Sequence, residues 1–142
     1  MAILIKKLNE EYYAIINDNM EIKEGMYKEY YSSESSEDSE DRRLKVQCYY
    51  SNNKLNGSHV VFNHDKTINK ISNYYNGILE GIEIQYYYHF DKKSMRKSYY
   101  TNGKLHGKSK LYNDDGKLEW SIVYDNGKIK TPYKKHNKCI IL

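Results

Sequence analysis

Polar and apolar residues alternate with a period of two through much of the chain, and no stretch sustains the 3.6-residue period of an amphipathic helix. Leu105, Gly107, Ser109 and Leu111 fall on one side of such an alternation and Lys104, His106, Lys108 and Lys110 on the other. In the next run Leu118, Trp120, Ile122 and Tyr124 share a face. Asn102-Gly103, Asp115-Gly116 and Asn126-Gly127 separate or follow these runs, and such dipeptides accept the positive φ of tight hairpin turns. The pattern predicts successive strand-turn-strand units and an all-β fold.

Those units recur along the chain. "YYSNNKLNGSHVVF", "YYNGILEGIEIQYY" and "YYTNGKLHGKSKLY" start from Tyr49-Tyr50, Tyr74-Tyr75 and Tyr99-Tyr100, 25 residues apart, and each carries a leucine two residues before a glycine. The glycines are Gly57, Gly81 and Gly107, followed five residues later by Phe62, Tyr86 and Tyr112; Gly25 with Tyr30 obeys the same rule. A glycine within a strand is expected where another group must come close, so each is predicted to make room for an aromatic ring from a neighbouring strand. The interval from Gly25 to Gly57 is 32 residues against 24 from Gly57 to Gly81, and the excess falls on "SSESSEDSEDRR". A last partial copy begins at Tyr124 with "YDNGKI". The expected organisation is an N-terminal segment 1–10, a hairpin array 11–131 with an acidic, serine-rich insertion 32–43, and a basic tail 132–142. A lone hairpin is marginal in water, so stability is expected from stacking several in series.

The stretch "YTNGKLHGKSKLYNDDGKLEWSIVYDNGK" resembles the variant MORN repeat of bacterial antitoxin-like proteins and of large repeat families of giant DNA viruses. The resemblance is strongest from Tyr99 to Lys128 and looser upstream, and "HFDKKSMRK" departs from it by replacing the second Asp-Gly turn. It implies an elongated, single-layered, twisted antiparallel sheet used for protein or membrane contact, and no catalytic residues.

Composition fits a thin sheet. Seventeen tyrosines supply most of the aromatic content, and a tyrosine can bury its ring while its hydroxyl stays wet, so the core is expected to be shallow. The formal charge is +4, but Ser32 to Asp41 holds five carboxylates and no cation; without those five the remainder is +9. A basic folded part suits an anionic membrane surface, nucleic acid or an acidic partner. Cys48 and Cys139 lie far apart with no CxxC spacing, which suggests neither a disulfide framework nor a zinc site and favours a reducing, intracellular setting. No apolar run reaches about 18 residues, and Met1 to Leu8 is too short for a secretory core. The expected location is cytoplasmic or on the cytoplasmic face of a membrane, and the Asn, Lys, Tyr and Ile richness suggests an AT-rich genome, which suits a giant virus of a eukaryotic host or an intracellular bacterium.

Candidate chemistry concentrates at the C-terminus. Cys139-Ile140-Ile141-Leu142 fits a C-a-a-X box of the geranylgeranyl type, and Lys134, Lys135 and Lys138 would supply the second signal that one lipid chain needs for stable anchoring. The competing reading is an apolar end packed on the last hairpin. His59 and His64 are five apart with no third ligand nearby, so no metal site is predicted. Cys48, in an apolar strand, reads as a small buried hydrophobe. No Ser-His-Asp set, phosphate loop or carboxylate pair appears, so neither catalytic residues nor cofactors are predicted. The expected function is a non-enzymatic scaffold for a protein partner, with a soluble antitoxin-like inhibitor as the alternative. A nucleic-acid module, in which tyrosines stack bases and lysines meet phosphates, is the minor one. Unpaired sheet edges would also permit pairing with a second copy.

Overall fold

The computed structural model describes residues 4–9, 12–17, 20–31 and 43–135, with side chains described over 22–31 and 43–131. All regular structure among them is β-strand, as the period-two pattern predicts. The chain forms two compact units, Met1–Ile78 and Leu79–Leu142. The first holds β1 (Leu4–Asn9), β2 (Tyr12–Asn17), β3 (Met20–Tyr30), β4 (Leu44–Ser51), β5 (Lys54–Phe62) and β6 (Ile68–Tyr75). The short β7 (Ile78–Leu79) lies across the division. The second holds β8 (Gly81–His89), β9 (Lys92–Thr101), β10 (Lys104–Leu105), β11 (Gly107–Tyr112), β12 (Leu118–Asp125) and β13 (Lys128–Lys135). Within each unit successive strands pair antiparallel, with β10 and β11 both on β9. Strands make their substantial contacts with ladder neighbours, so each unit is one layer thick.

Two boundaries differ from the sequence reading. The hairpin β1–β2 pairs Leu4 with Ile16, so strand pairing begins inside the expected N-terminal segment. At the other end β13 runs on β12 to Lys135, through Pro132, instead of stopping at 131. Proline is tolerated there because β12 is the one ladder partner of β13 among the described residues, and a missing N–H costs little on such a strand.

Register shows why the glycines recur. Gly25, Gly57, Gly81 and Gly107 stand directly opposite Tyr50, Tyr74, Tyr100 and Tyr124. The paired tyrosines are therefore not equivalent pair for pair: Tyr74, the first of its pair, takes the place held by Tyr50 and Tyr100, the second of theirs. The expected reason for glycine also needs correction. A Cβ at Gly81 would meet nothing within 4 Å, and at Gly57 and Gly107 it would only touch a tyrosine Cβ at 3.7 and 3.9 Å, so no ring occupies the space. What excludes other residues is backbone conformation: φ is +108° at Gly57 and +83° at Gly81 and Gly107, where a Cβ is strained. The bend has a purpose visible in the ladders. Leu105, two residues before the bend, pairs back with Tyr100, whereas the bend residue Gly107 pairs forward with Tyr124.

The turns beside the bends are tight hairpins with positive φ at both central positions, as at Asn102 (+50°) and Gly103 (+74°) and at Asn126 (+50°) and Gly127 (+83°). Asn52 (+49°) and Asn53 (+63°) do the same without glycine, asparagine being the residue that best tolerates this region. Each turn hydrogen-bonds to the preceding hairpin. The N–H groups of Asn53, Gly77, Gly103 and Gly127 donate to the carbonyls of Lys23, Leu55, Leu79 and Leu105, each two residues before a bend glycine, at 2.7 to 3.1 Å.

The opposite ends of the hairpins close differently. Asn63 and Thr67 bracket one loop and Asn113 and Lys117 another, each sealed by an N–H donated from the asparagine to the far carbonyl. Positive φ falls on the third enclosed residue, Lys66 (+69°) or Gly116 (+73°), so Asp115-Gly116 is not a two-residue turn. A register shift precedes Phe62 and Tyr112, and at β12 it accommodates Glu119, so that Leu118 registers with Tyr112 and simple alternation with Trp120 is lost. The equivalent closure between β3 and β4 is Tyr31 N–H to the Arg43 carbonyl at 2.9 Å. It encloses eleven residues where the others enclose three, which accounts for the long first glycine interval. The acidic run itself, Ser32 to Asp41, lies outside the described residues. "HFDKKSMRK" instead extends the β8–β9 ladder in regular register to His89–Lys92, leaving Phe90 at the tip, 92% exposed.

Candidate interaction surface

Alternation gives each unit two faces. The face bearing the opposed tyrosines carries the buried residues, which among those described are Cys48, Ser72, Glu83, Ser98 and Ser109. They form transverse rows: Tyr27, Cys48, His59 and Ser72 are opposed strand by strand in the first unit, and Glu83, Ser98, Ser109 and Ile122 run across the second. Rings flank the rows, with Tyr27 and Tyr50 edge to face at 6.1 Å and His59 and Tyr74 at 5.7 Å. Small side chains fit between such rings, which is why the shallow core is sulfhydryl and hydroxyl, with the one carboxylate of Glu83, instead of aliphatic.

The two rows differ chemically. In the second unit Ser98 and Ser109 share a hydrogen bond of 2.8 Å, and the Tyr100 hydroxyl donates to Glu83 at 3.4 Å. In the first unit His59 Nδ1 is buried with no hydrogen-bond partner among the described residues. Burial, with Lys70 adding to it, lowers the His59 pKa, while burial raises that of the Cys48 thiol opposite. Neutral thiol and neutral imidazole are both favoured, the reverse of an activated thiolate–imidazolium pair. Cys48 is 2% exposed and packs as the small buried group expected of it. His64 sits elsewhere, in the Asn63–Thr67 loop, against the Tyr31 ring at 4.5 Å and within 3.0 Å of the Arg43 guanidinium. The two histidines therefore share no site, and the described residues hold no cluster of three metal-ligating side chains.

The other face of the second unit is basic. Lys97 lies directly opposite Lys110, and Lys108 is on the same side of β11. With Tyr99 and Tyr112 they line a groove of about 540 Å³, whose border includes Glu80 and His106. None of these three lysines takes part in an ion pair among the described residues. Lysine ammoniums lie over several tyrosine rings of this face: Lys97 over Tyr99 at 5.9 Å, and Lys93 over Tyr86 at 4.3 Å and Tyr88 at 5.8 Å.

Of the aromatic positions singled out by sequence, Tyr30, Phe62 and Tyr112 close hairpin ends beside register shifts, whereas Tyr86 sits in regular ladder opposite Met95. Lys134 and Lys135 belong to strand β13, registered with Ser121 and Trp120; Lys138 and Cys139 lie outside the described residues. One device was missed by sequence reading. The residue before each bend glycine accepts from the N–H that opens the next tight turn: Glu24 from Asn52 at 2.8 Å, Asn56 from Asn76 at 3.4 Å, Glu80 from Asn102 at 2.7 Å and His106 from Asn126 at 3.5 Å. The signal was available, since an acceptor side chain precedes every one of these glycines. No helix among the described residues is long and apolar enough to cross a membrane. No family model matches the chain, and neither curated proteins nor solved structures contain a significant match to it.

Proposed function

We propose that the chain is a non-enzymatic interaction scaffold of the MORN-like kind, whose sheet faces bind a partner protein and whose C-terminal cysteine tethers it to a membrane. The observation that carries the scaffold reading is the basic groove of the second unit, where Lys97, Lys108 and Lys110 stand among tyrosines and take part in no ion pair among the described residues. Surfaces rich in tyrosine with satisfied backbones and unpaired charge suit recognition, because the rings supply contact area at low entropic cost and the charges supply steering. Support for a non-enzymatic role comes from the Cys48–His59 pair, a thiol opposite an imidazole, whose environment favours the uncharged forms of both groups. Support for the tether is the C-I-I-L ending with lysines upstream.

Both parts are tested in eukaryotic cells expressing the chain as a fluorescent fusion. Membrane association lost in Cys139→Ser is the expected result, and unchanged association overturns the tether. Proximity labelling with wild type and Cys139→Ser then tests the scaffold. A partner set enriched over an unrelated β-protein is expected, and labelling no richer than that control overturns it.

A further inference from the structure

Like charges placed directly opposite one another destabilise a ladder, yet Lys97 and Lys110 are so placed, with Lys108 two residues further along the same face. An anion between them removes the repulsion. Three kinds of polyanion carry that charge, and the groove discriminates among them. Single-stranded nucleic acid binds by stacking bases on open rings, but here the Lys97 ammonium lies over the Tyr99 ring of the groove, and Lys93 lies over Tyr86 and Tyr88 further along the same face. A lipid surface presents phosphates continuously, and the Glu80 carboxylate at the border, fixed by the Asn102 N–H at 2.7 Å, would face them. A peptide can place an uncharged residue at that point. Extended peptides also repeat side chains on one side every ~6.5–7 Å, the spacing at which Lys108 and Lys110 succeed each other along β11.

We infer that this groove receives an extended acidic segment of the partner protein, with carboxylates at alternate residues meeting Lys108 and Lys110 and one of them bridging to Lys97. Tyr99 and Tyr112 then pack against the peptide backbone and the methylene stems of those carboxylate side chains. The inference rests on the scaffold reading and names the chemistry of its partner.

The probe is a short fluorescein-labelled peptide of alternating Glu and Tyr, compared by anisotropy with a Lys–Tyr peptide and with a peptide of the same composition whose glutamates form one block. The full chain is expected to bind the alternating acidic peptide in preference to both, less tightly at high salt. Lys97→Gln/Lys108→Gln/Lys110→Gln, checked for strand content by circular dichroism, is expected to weaken binding at least about tenfold. Equal binding of the Glu–Tyr and Lys–Tyr peptides by wild type overturns the inference whether or not the triple variant folds. So does binding of labelled oligothymidylate or phosphatidylserine vesicles without binding of the acidic peptide. Proximity partners retained by the triple variant would leave the scaffold standing while removing this groove from it.

Discussion

The two units are built on one plan and spend it differently. Ten Lys and Arg against twelve Asp and Glu give the first a net charge of −2, while thirteen against seven give the second +6. On the face away from the buried rows, the regular ladder positions of β3 to β6 offer Lys28 and Lys54 among Met26, Gln47, Tyr49, Ser58, Val60, Ile71 and Asn73, where the second unit offers Lys93, Lys97, Lys108 and Lys110. The buried rows differ in the opposite sense: the second is closed by a serine–serine hydrogen bond, the first holds a histidine whose Nδ1 has no hydrogen-bond partner among the described residues. What is shared is the set of bends and turns; what varies is everything the bends leave on the faces. That division allows the shared frame and the individual faces to be perturbed separately.

The frame should give the largest effect. Gly57→Ala in the first unit is expected to cost about 3 kcal/mol and Gly81→Ala in the second about 2 kcal/mol, the order of their φ values of +108° and +83°. Urea denaturation of each variant measures both. Because a Cβ at Gly81 meets nothing, a neutral Gly81→Ala would reinstate close packing as the reason for glycine and refute backbone conformation.

These glycines were the most legible feature of the sequence, because a residue needed for its φ cannot be replaced by one of similar polarity and so stays visible at intervals of 24 and 26 residues from Gly57 to Gly107. The insertion was legible for the same reason, as a misfit between Gly25 and Gly57. Register was not. Tyr74-Tyr75 looks like Tyr49-Tyr50 in letters, but position is set by the bends and by bulges such as that at Glu119, which letters alone do not mark. Strand β13 was misread because Pro132 signals an ending, and it is harmless where β12 is the one ladder partner among the described residues. Of the candidate surface, the side of Lys108 and Lys110 followed from alternation, but their opposition to Lys97 depends on the pairing of β11 with β9 and could not be counted from the chain.

A smaller effect comes from exchanging the loop residues that differ between units. Lys66 and Gly116 occupy equivalent positions at nearly equal φ, so the lysine carries a Cβ penalty that the glycine avoids. Lys66→Gly is expected to stabilise the chain by about 1 kcal/mol and Gly116→Lys to destabilise it by a similar amount. Opposite shifts in urea midpoint would show that the two loops are one structure with different residues. Shifts of the same sign would separate them.

The gentlest effect distinguishes the buried rows and appears as a slope with pH. His59 lies between Cys48 and Ser72, beside the Tyr74 ring and under the influence of Lys70, and its pKa in the folded chain is below its ordinary value near 6.5. The unfolded chain therefore binds the proton more readily, so stability contributed by neutral His59 is present above about pH 6.5 and is lost as pH falls through the interval below it. Asp65, whose carboxylate accepts from Thr67, loses stability on acidification too, but only below its ordinary value of 3.8. His59→Ser, which places in the first row the residue that Ser109 supplies in the second, should flatten the profile between these ranges while leaving the acid limb. A slope that persists in His59→Ser would assign it to another group and leave the two rows with the same pH response.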